Sequence, residues 1–192
     1  MRNDENFRIL IVDDNRELRD ILEEYLKGKD SQVESACNGK EALEKHGKDP
    51  FDLIVTDLNM PELTGMELIR TIKKDNDDTE FIIITGYASM DTAVEAVKIG
   101  AFDYIVKPFR MEELQVVVKN VRDKIMLKKL NAKLLQTLQG FYDEMERYRQ
   151  KKPEAPAGVE LPANGEQASD TEKIVSEIRD LEKLRKGRLL IE

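Results

Sequence analysis

Four apolar runs in the first 110 residues each end in a side chain that can do chemistry. Phe7 to Val12 runs into Asp13-Asp14, and Phe51 to Thr56 into Asp57. Two later runs close on Thr85 and on Lys107-Pro108. Three carboxylates, a hydroxyl and an ammonium thus stand at successive strand ends. They converge only if the strands lie parallel and adjacent, because an open parallel sheet opens its ligand crevice beyond the carboxyl ends of its strands. Clustered carboxylates repel one another unless a cation sits among them, and an oxygen-only donor set suits Mg²⁺.

Taken singly, each residue has a plainer reading. Asp57 serves as a turn former or helix cap, the Asp13-Asp14 pair as a turn with a cap, and Thr85 before Gly86 as a turn hydroxyl. Lys107 reads as a surface lysine before a proline that stops a strand. Asp13 and Asp14, as neighbours, point to opposite faces of a regular strand and reach one metal only if the chain turns there. Their joint occurrence, in order, outweighs the separate readings.

The elements that must position these groups alternate strand and helix, which is the pattern of a parallel α/β sheet covered on both faces. Helix one follows from Asn15, with Leu18, Ile21, Leu22, Tyr25 and Leu26 at helical spacing and Gly28 as its stop. A weak second strand covers Gln32 to Ala36, and Asn38-Gly39 turns into a helix over Lys40 to Lys48. Helix three spans Thr64 or Gly65 to Lys74, with Met66, Leu68, Ile69 and Ile72 inward. Asp75 to Asp78 is a solvated loop and Glu80 to Thr85 strand four. Helix four, Met90 to Ile99, closes on Gly100 in a left-handed cap, before strand five at Asp103 to Val106.

The chain carries 36% charged residues and a net charge of −8, unevenly spread. Residues 1–110 hold 15 Lys and Arg against 24 Asp and Glu, whereas residues 111–150 hold 8 against 6. An acidic first domain argues against nucleic-acid binding there. Lys119, Arg122, Lys124, Lys128, Lys129 and Lys133 are spread around a helix with Asp123 among them, and read as a solvated exterior. The single Cys37 has no disulfide partner in the chain, which points to a reducing, cytoplasmic setting with Cys37 as a packed residue. Residues 1–8 are polar and charged, and no run approaches membrane-spanning length.

From Met111 the pattern stays helical to about Gln150. Leu127, Asn131, Leu134, Leu138, Phe141, Met145 and Tyr148 alternate spacings of four and three, a heptad seam in which Asn131 sets register. Gly140 lies off the seam and costs about 1 kcal/mol of helix propensity. Forty helical residues span ~60 Å, whereas a domain of this size is about 30–35 Å across. The distal half therefore needs a partner, and a second copy is the simplest. The sequence divides into a first domain over 1–122, a helical extension and coiled coil over 123–150, a Pro-rich flexible linker over 151–168 and a short helix over 169–192. Ser169 and Glu172 open that last helix as a capping box, and Ile174, Ile178, Leu181 and Leu184 form its apolar stripe.

Four segments carry a family resemblance: Ile9 to Asn15, Asp57 to Pro61 with Gly65, Thr85-Gly86-Tyr87-Ala88, and Gly100 to Phe109. Together they resemble the receiver domain of two-component response regulators, the last two looking closest to the nitrogen-regulator type. The resemblance implies a doubly wound five-stranded parallel sheet in the order 2-1-3-4-5 and a cis peptide at Lys107-Pro108. It implies Asp57 as phosphoacceptor, served by the phosphohistidine of a sensor histidine kinase or a histidine phosphotransfer protein. Asp13, Asp14, Asp57 and the backbone carbonyl of Asn59 would hold Mg²⁺, with Asp14 the direct ligand of the acidic pair. Lys107 would offset phosphoryl charge, Thr85 would bond a phosphoryl oxygen, and Tyr104 would turn into the space that Thr85 leaves. On this reading the chain is a signalling switch rather than an enzyme.

Nitrogen-regulator relatives usually continue into an ATPase and a DNA-binding domain. No G-x-x-x-x-G-K-[ST] loop occurs here, and nothing after residue 110 reads as a helix-turn-helix. The expectation is a stand-alone regulator acting on an unknown output protein. The alternative is a phosphate relay or sink between histidine proteins. His46, before Gly47, reads as a surface residue. A haloacid-dehalogenase-type phosphatase needs a second acid where Asn59 stands. A flavodoxin-like binder needs a phosphate-cradling loop where Asp13-Asp14 would repel phosphate.

Overall fold

The computed structural model describes residues 6–28, 31–74 and 78–151. The expected tail helix over 169–192 lies outside the described residues, as do the expected linker from residue 152 onward and residues 75–77 of the solvated loop. Among the described residues five strands alternate with five helices: β1 (Phe7–Val12), α1 (Arg16–Leu26), β2 (Ser31–Ala36), α2 (Gly39–Lys48), β3 (Leu53–Thr56), α3 (Gly65–Lys73), β4 (Glu80–Thr85), α4 (Met90–Lys98), β5 (Asp103–Val106) and α5 (Met111–Lys151). The strands form one sheet in the order β2-β1-β3-β4-β5, and every neighbouring pair is parallel. The expected topology holds. Among the described residues no helix is long and apolar enough to cross a membrane.

Both faces of the central strands are buried, which is why they read as continuous apolar runs instead of alternating ones. Successive side chains still go to opposite layers. Ile9, Ile11, Val55 and Ile84 pack with Leu22, Leu26, Leu114 and Val121 from α1 and α5. Leu10, Val12, Ile54 and Ile83 pack with Ala42, Leu68, Ile72 and Ala96 from α2, α3 and α4. Local signals set the helix ends. Asn15, Asn38, Thr64 and Ser89 cap α1 to α4 through their side chains. Gly100, at φ +86°, ends α4 in the left-handed region.

Leu114, Val117, Val118, Val121 and Ile125 seat the first turns of α5 on the sheet. The helix is then tied to the strand ends remote from Asp57 by ion pairs: Lys124 to Glu80 at 2.8 Å, Lys128 to Asp78 at 2.5 Å and Lys129 to Asp52 at 3.3 Å. Lys124, Lys128 and Lys129 are thereby each paired with an acid of the same chain. Beyond the seat, Leu127, Leu134, Leu138, Phe141, Met145 and Tyr148 are exposed. At 3.6 residues per turn, Leu127, Leu134 and Leu138 lie about 200–240° round the helix from Leu114. The exposed seam is therefore not a continuation of the seated face.

Two expectations fail. His46 is buried, not a surface residue: its Nδ1 accepts the Phe51 N–H at 3.2 Å and its ring stacks near Phe51. That amide would otherwise be a buried donor without an acceptor. Cys37 is exposed rather than packed, because it follows β2 at the turn that caps α2. Within α1 the buried stripe runs through Leu22 and Leu26, with Ile21 and Tyr25 exposed.

Candidate functional site

Asp57 leaves β3 one residue past Thr56, and its N–H donates to Val12 O at 2.9 Å, holding the two strand ends level. Its Oδ1 accepts the Asn59 N–H at 3.2 Å and its Oδ2 accepts Lys107 Nζ at 2.6 Å. Asp13, one residue past β1, is buried. Its Oδ1 accepts the Asn15 N–H at 2.8 Å, its Oδ2 accepts Lys107 Nζ at 2.7 Å, and its carbonyl accepts Arg19 Nη1 at 2.6 Å. Lys107, one residue past β5, thus bridges two carboxylates that come from the two strands at the centre of the sheet. Burial works against the Lys107 charge, but its hydrogen bonds to Asp13 and Asp57 and their negative charge outweigh it. The net effect raises the lysine above its ordinary range.

The loop after Asp57 is held by close packing. Gly65 N–H donates to Leu58 O at 3.0 Å. A Cβ on Gly65 would stand 2.2 Å from the Asp57 carbonyl oxygen, so only glycine lets α3 begin there. Asp57 is 12% exposed at its side chain against 5% for Asp13. Of the two, Asp57 is the carboxylate that an incoming group can reach.

Of the residues singled out in the sequence, Asp13, Asp57 and Lys107 are brought together. Asp14 is not; it is exposed, having diverged from Asp13 as adjacent residues of an extended segment do. Among the described residues no three Asp, Glu, His or Cys side chains are already gathered at ligating distance. The donor set nonetheless suits Mg²⁺. That ion keeps several waters and takes only one or two carboxylates, and Asp13 and Asp57 already hold one cation, the Lys107 ammonium, between them. Thr85 is fully buried at the end of β4, and its Oγ1 accepts the Tyr87 N–H at 3.2 Å. Tyr104 is half-buried on β5, paired with Ile83 of β4. Lys107-Pro108 is cis, as expected.

Sequence reasoning missed Thr92, whose Oγ1 lies 2.9 Å from the Tyr104 hydroxyl. The Ser89-x-x-Thr92 spacing was visible as a capping pattern, but not its tie to β5. Arg19, which braces the Asp13 carbonyl, carried no signal at all.

Two acids and a lysine are thus joined at the carboxyl edge of a doubly wound sheet. The chain matches the response regulator receiver domain over residues 9–119 and belongs to that family. It is 42% identical over 114 residues to the transcriptional regulatory protein ZraR of Klebsiella oxytoca, covering 59% of this chain and 26% of that protein. It is 40% identical over 111 residues to the response regulator protein PilR of Pseudomonas aeruginosa, covering 58% and 25%. The crystal structure of a response regulator receiver domain protein from Clostridium thermocellum superposes with a TM-score of 0.58 at 31% identity, covering 62% of this chain and 97% of that one. The chain spans about a quarter of the length of these two regulatory relatives.

Proposed function

We propose that the chain is a phosphorylation switch in which Asp57 takes a phosphoryl group from a phosphohistidine of a sensor kinase or phosphotransfer protein. The bridge from Lys107 to both Asp57 and Asp13 carries this reading, because it places a fixed positive charge beside the more accessible carboxylate. An Asp57 carboxylate oxygen bonds to phosphorus as the N–P bond breaks, and the electron pair returns to the histidine nitrogen. Lys107 neutralises charge on the transferring oxygens, where most of the rate enhancement in phosphoryl transfer arises. Asp13, Asp14, Asp57 and the Asn59 carbonyl would hold Mg²⁺, which supplies further positive charge to the phosphoryl oxygens when bound. Water later attacks the acyl phosphate and returns the free carboxylate.

Thr85 has one lone pair engaged by the Tyr87 N–H and keeps its own proton to donate to a phosphoryl oxygen. That bond draws the loop after β4 inward, and Tyr104 follows, so a local charge change biases a two-state element. The domain over 1–122 is the switch and the extension over 123–150 is its output arm. A second copy pairs along Leu127 to Tyr148, and the exposed seam favours a binding switch over a relay. Phosphoryl labelling from a small acyl phosphate with Mg²⁺, in wild type and in Asp57→Asn, tests the assignment.

A further inference from the structure

The Tyr104 hydroxyl meets an oxygen with a second task. Thr92 is the third residue of α4, and its N–H donates to Ser89 Oγ at 3.1 Å. Thr92 Oγ1 in turn accepts the Ser89 N–H at 3.0 Å and lies 3.0 Å from the Ser89 carbonyl oxygen and 2.9 Å from Tyr104 Oη. A threonine hydroxyl has one proton and two lone pairs. Thr92 Oγ1 also lies 3.0 Å from Ser89 Oγ; the Ser89 N–H donates to it, and either Thr92 Oγ1 or Tyr104 Oη can supply the proton of the bond between them. The phenol is therefore tied to the helix cap itself, not to an exposed side chain that could simply swing away.

The cap is also the end of the loop that begins at Thr85. Only Gly86, Tyr87 and Ala88 separate Thr85 from Ser89, and the Thr85 hydroxyl already holds the Tyr87 N–H. A pull on Thr85 moves that short loop, and the loop carries the Ser89–Thr92 box that receives Tyr104. On the other side, Tyr104 is paired with Ile83, two residues before Thr85 on the same face of β4. Loop and phenol thus meet at a single hydroxyl.

We propose that Thr92 is a positioning residue of the switch: its hydroxyl latches Tyr104 to the start of α4 in the unphosphorylated protein, and inward movement of the Thr85–Ser89 loop releases it. The latch rests on the reading of Asp57 as phosphoacceptor. Because the bond exists only in the resting state, removing it raises the fraction of molecules competent for the phosphorylated form. Apparent affinity for a phosphoryl mimic rises by the same factor. A neutral hydrogen bond of ordinary strength makes that factor roughly two- to tenfold.

The test is titration of the full chain with beryllofluoride and Mg²⁺, followed by NMR of amides in β5 and α4. Tyr104→Phe deletes the latch while keeping the cap, and Thr92→Val deletes the latch together with the half of the cap that the Thr92 hydroxyl makes. Each is expected to tighten mimic binding roughly two- to tenfold. The double variant should gain no more than Tyr104→Phe alone, and Thr92→Ser should return to wild type. Thermal stability separates the two roles of Thr92, falling further in Thr92→Val than in Tyr104→Phe. Unchanged affinity in Tyr104→Phe, or factors that multiply in the double variant, overturns the latch while Asp57-dependent binding stands. Binding that survives undiminished in Asp57→Asn overturns the phosphoacceptor reading and the latch with it.

Discussion

The ammonium of Lys107 stands 2.6 Å from Asp57 Oδ2, fifty residues away in the chain, and the same nitrogen reaches Asp13 at 2.7 Å. One cation thus does in the resting protein what two are expected to do during transfer. Lys107→Met leaves two largely buried carboxylates facing each other, which costs about 2–4 kcal/mol of stability in the absence of metal. Mg²⁺ should restore part of that loss, so the rise in Tm on adding Mg²⁺ is larger for Lys107→Met than for wild type. Equal shifts in the two proteins would place the metal elsewhere.

The same bridge has a pH signature. Lys107 is raised above its ordinary range in the folded protein, so its contribution is complete below the unfolded-state lysine pKa and fades as pH rises through the folded value. Asp13→Asn removes one of the two partners and lowers the Lys107 pKa. NMR titration of the lysine side chain between pH 9 and 12 checks the direction.

Glu41 responds at the other end of the scale. The backbone N–H of Cys37, the Cys37 side chain and Lys45 together hold its pKa down to about 2. A depressed carboxylate stabilises above the unfolded-state value near 4.5, and that stability is lost as pH falls towards 2. The side chain is 36% exposed, so solvent screening keeps the contribution small. Glu41→Gln should lower stability slightly above about pH 5 and leave it unchanged near pH 2, so that the acid-unfolding curve followed by circular dichroism flattens between the two.

Gly65 offers a steric test independent of charge. A Cβ there would meet the Asp57 carbonyl oxygen at 2.2 Å, so Gly65→Ala must displace either α3 or the backbone that carries Asp57. A loss of about 1–3 kcal/mol is expected, with slower phosphorylation because the carboxylate is moved from Lys107. Denaturant unfolding and a labelling time course measure the two effects separately.

The seam of α5 predicts association. Leu134→Lys together with Leu138→Lys puts charges on exposed seam positions and leaves the seated residues Val118, Val121 and Ile125 untouched. In sedimentation of the full chain the double variant should be monomeric where wild type dimerises, with unchanged circular dichroism. A monomeric wild type at high concentration, with and without a phosphoryl mimic, removes the coiled coil.

What the sequence disclosed and what it hid follow from where the determinants lie. β1, β3 and β4 were legible because strands buried on both faces must be apolar throughout, and the polar residues that end them stand out. Asp57, Asp13 and Lys107 were legible for that reason. Thr92 was not, because its tie to Tyr104 depends on α4 lying beside β5, which no local pattern encodes. His46 was misread because a histidine near a helix end is polar by type, and its burial reflects one amide at Phe51 that needed an acceptor. The pairs from Lys124, Lys128 and Lys129 to the far strand ends were equally hidden, since the acids they meet lie well away in sequence.

Phosphoryl labelling of the full chain from a radiolabelled small acyl phosphate, compared in wild type and Asp57→Asn, bears most directly on the central claim. Wild type should take up close to one phosphoryl per chain in Mg²⁺ and very little in EDTA. Asp57→Asn should take up none. Label that persists in Asp57→Asn, or that forms as fast in EDTA, would contradict the assignment of Asp57 as the acceptor.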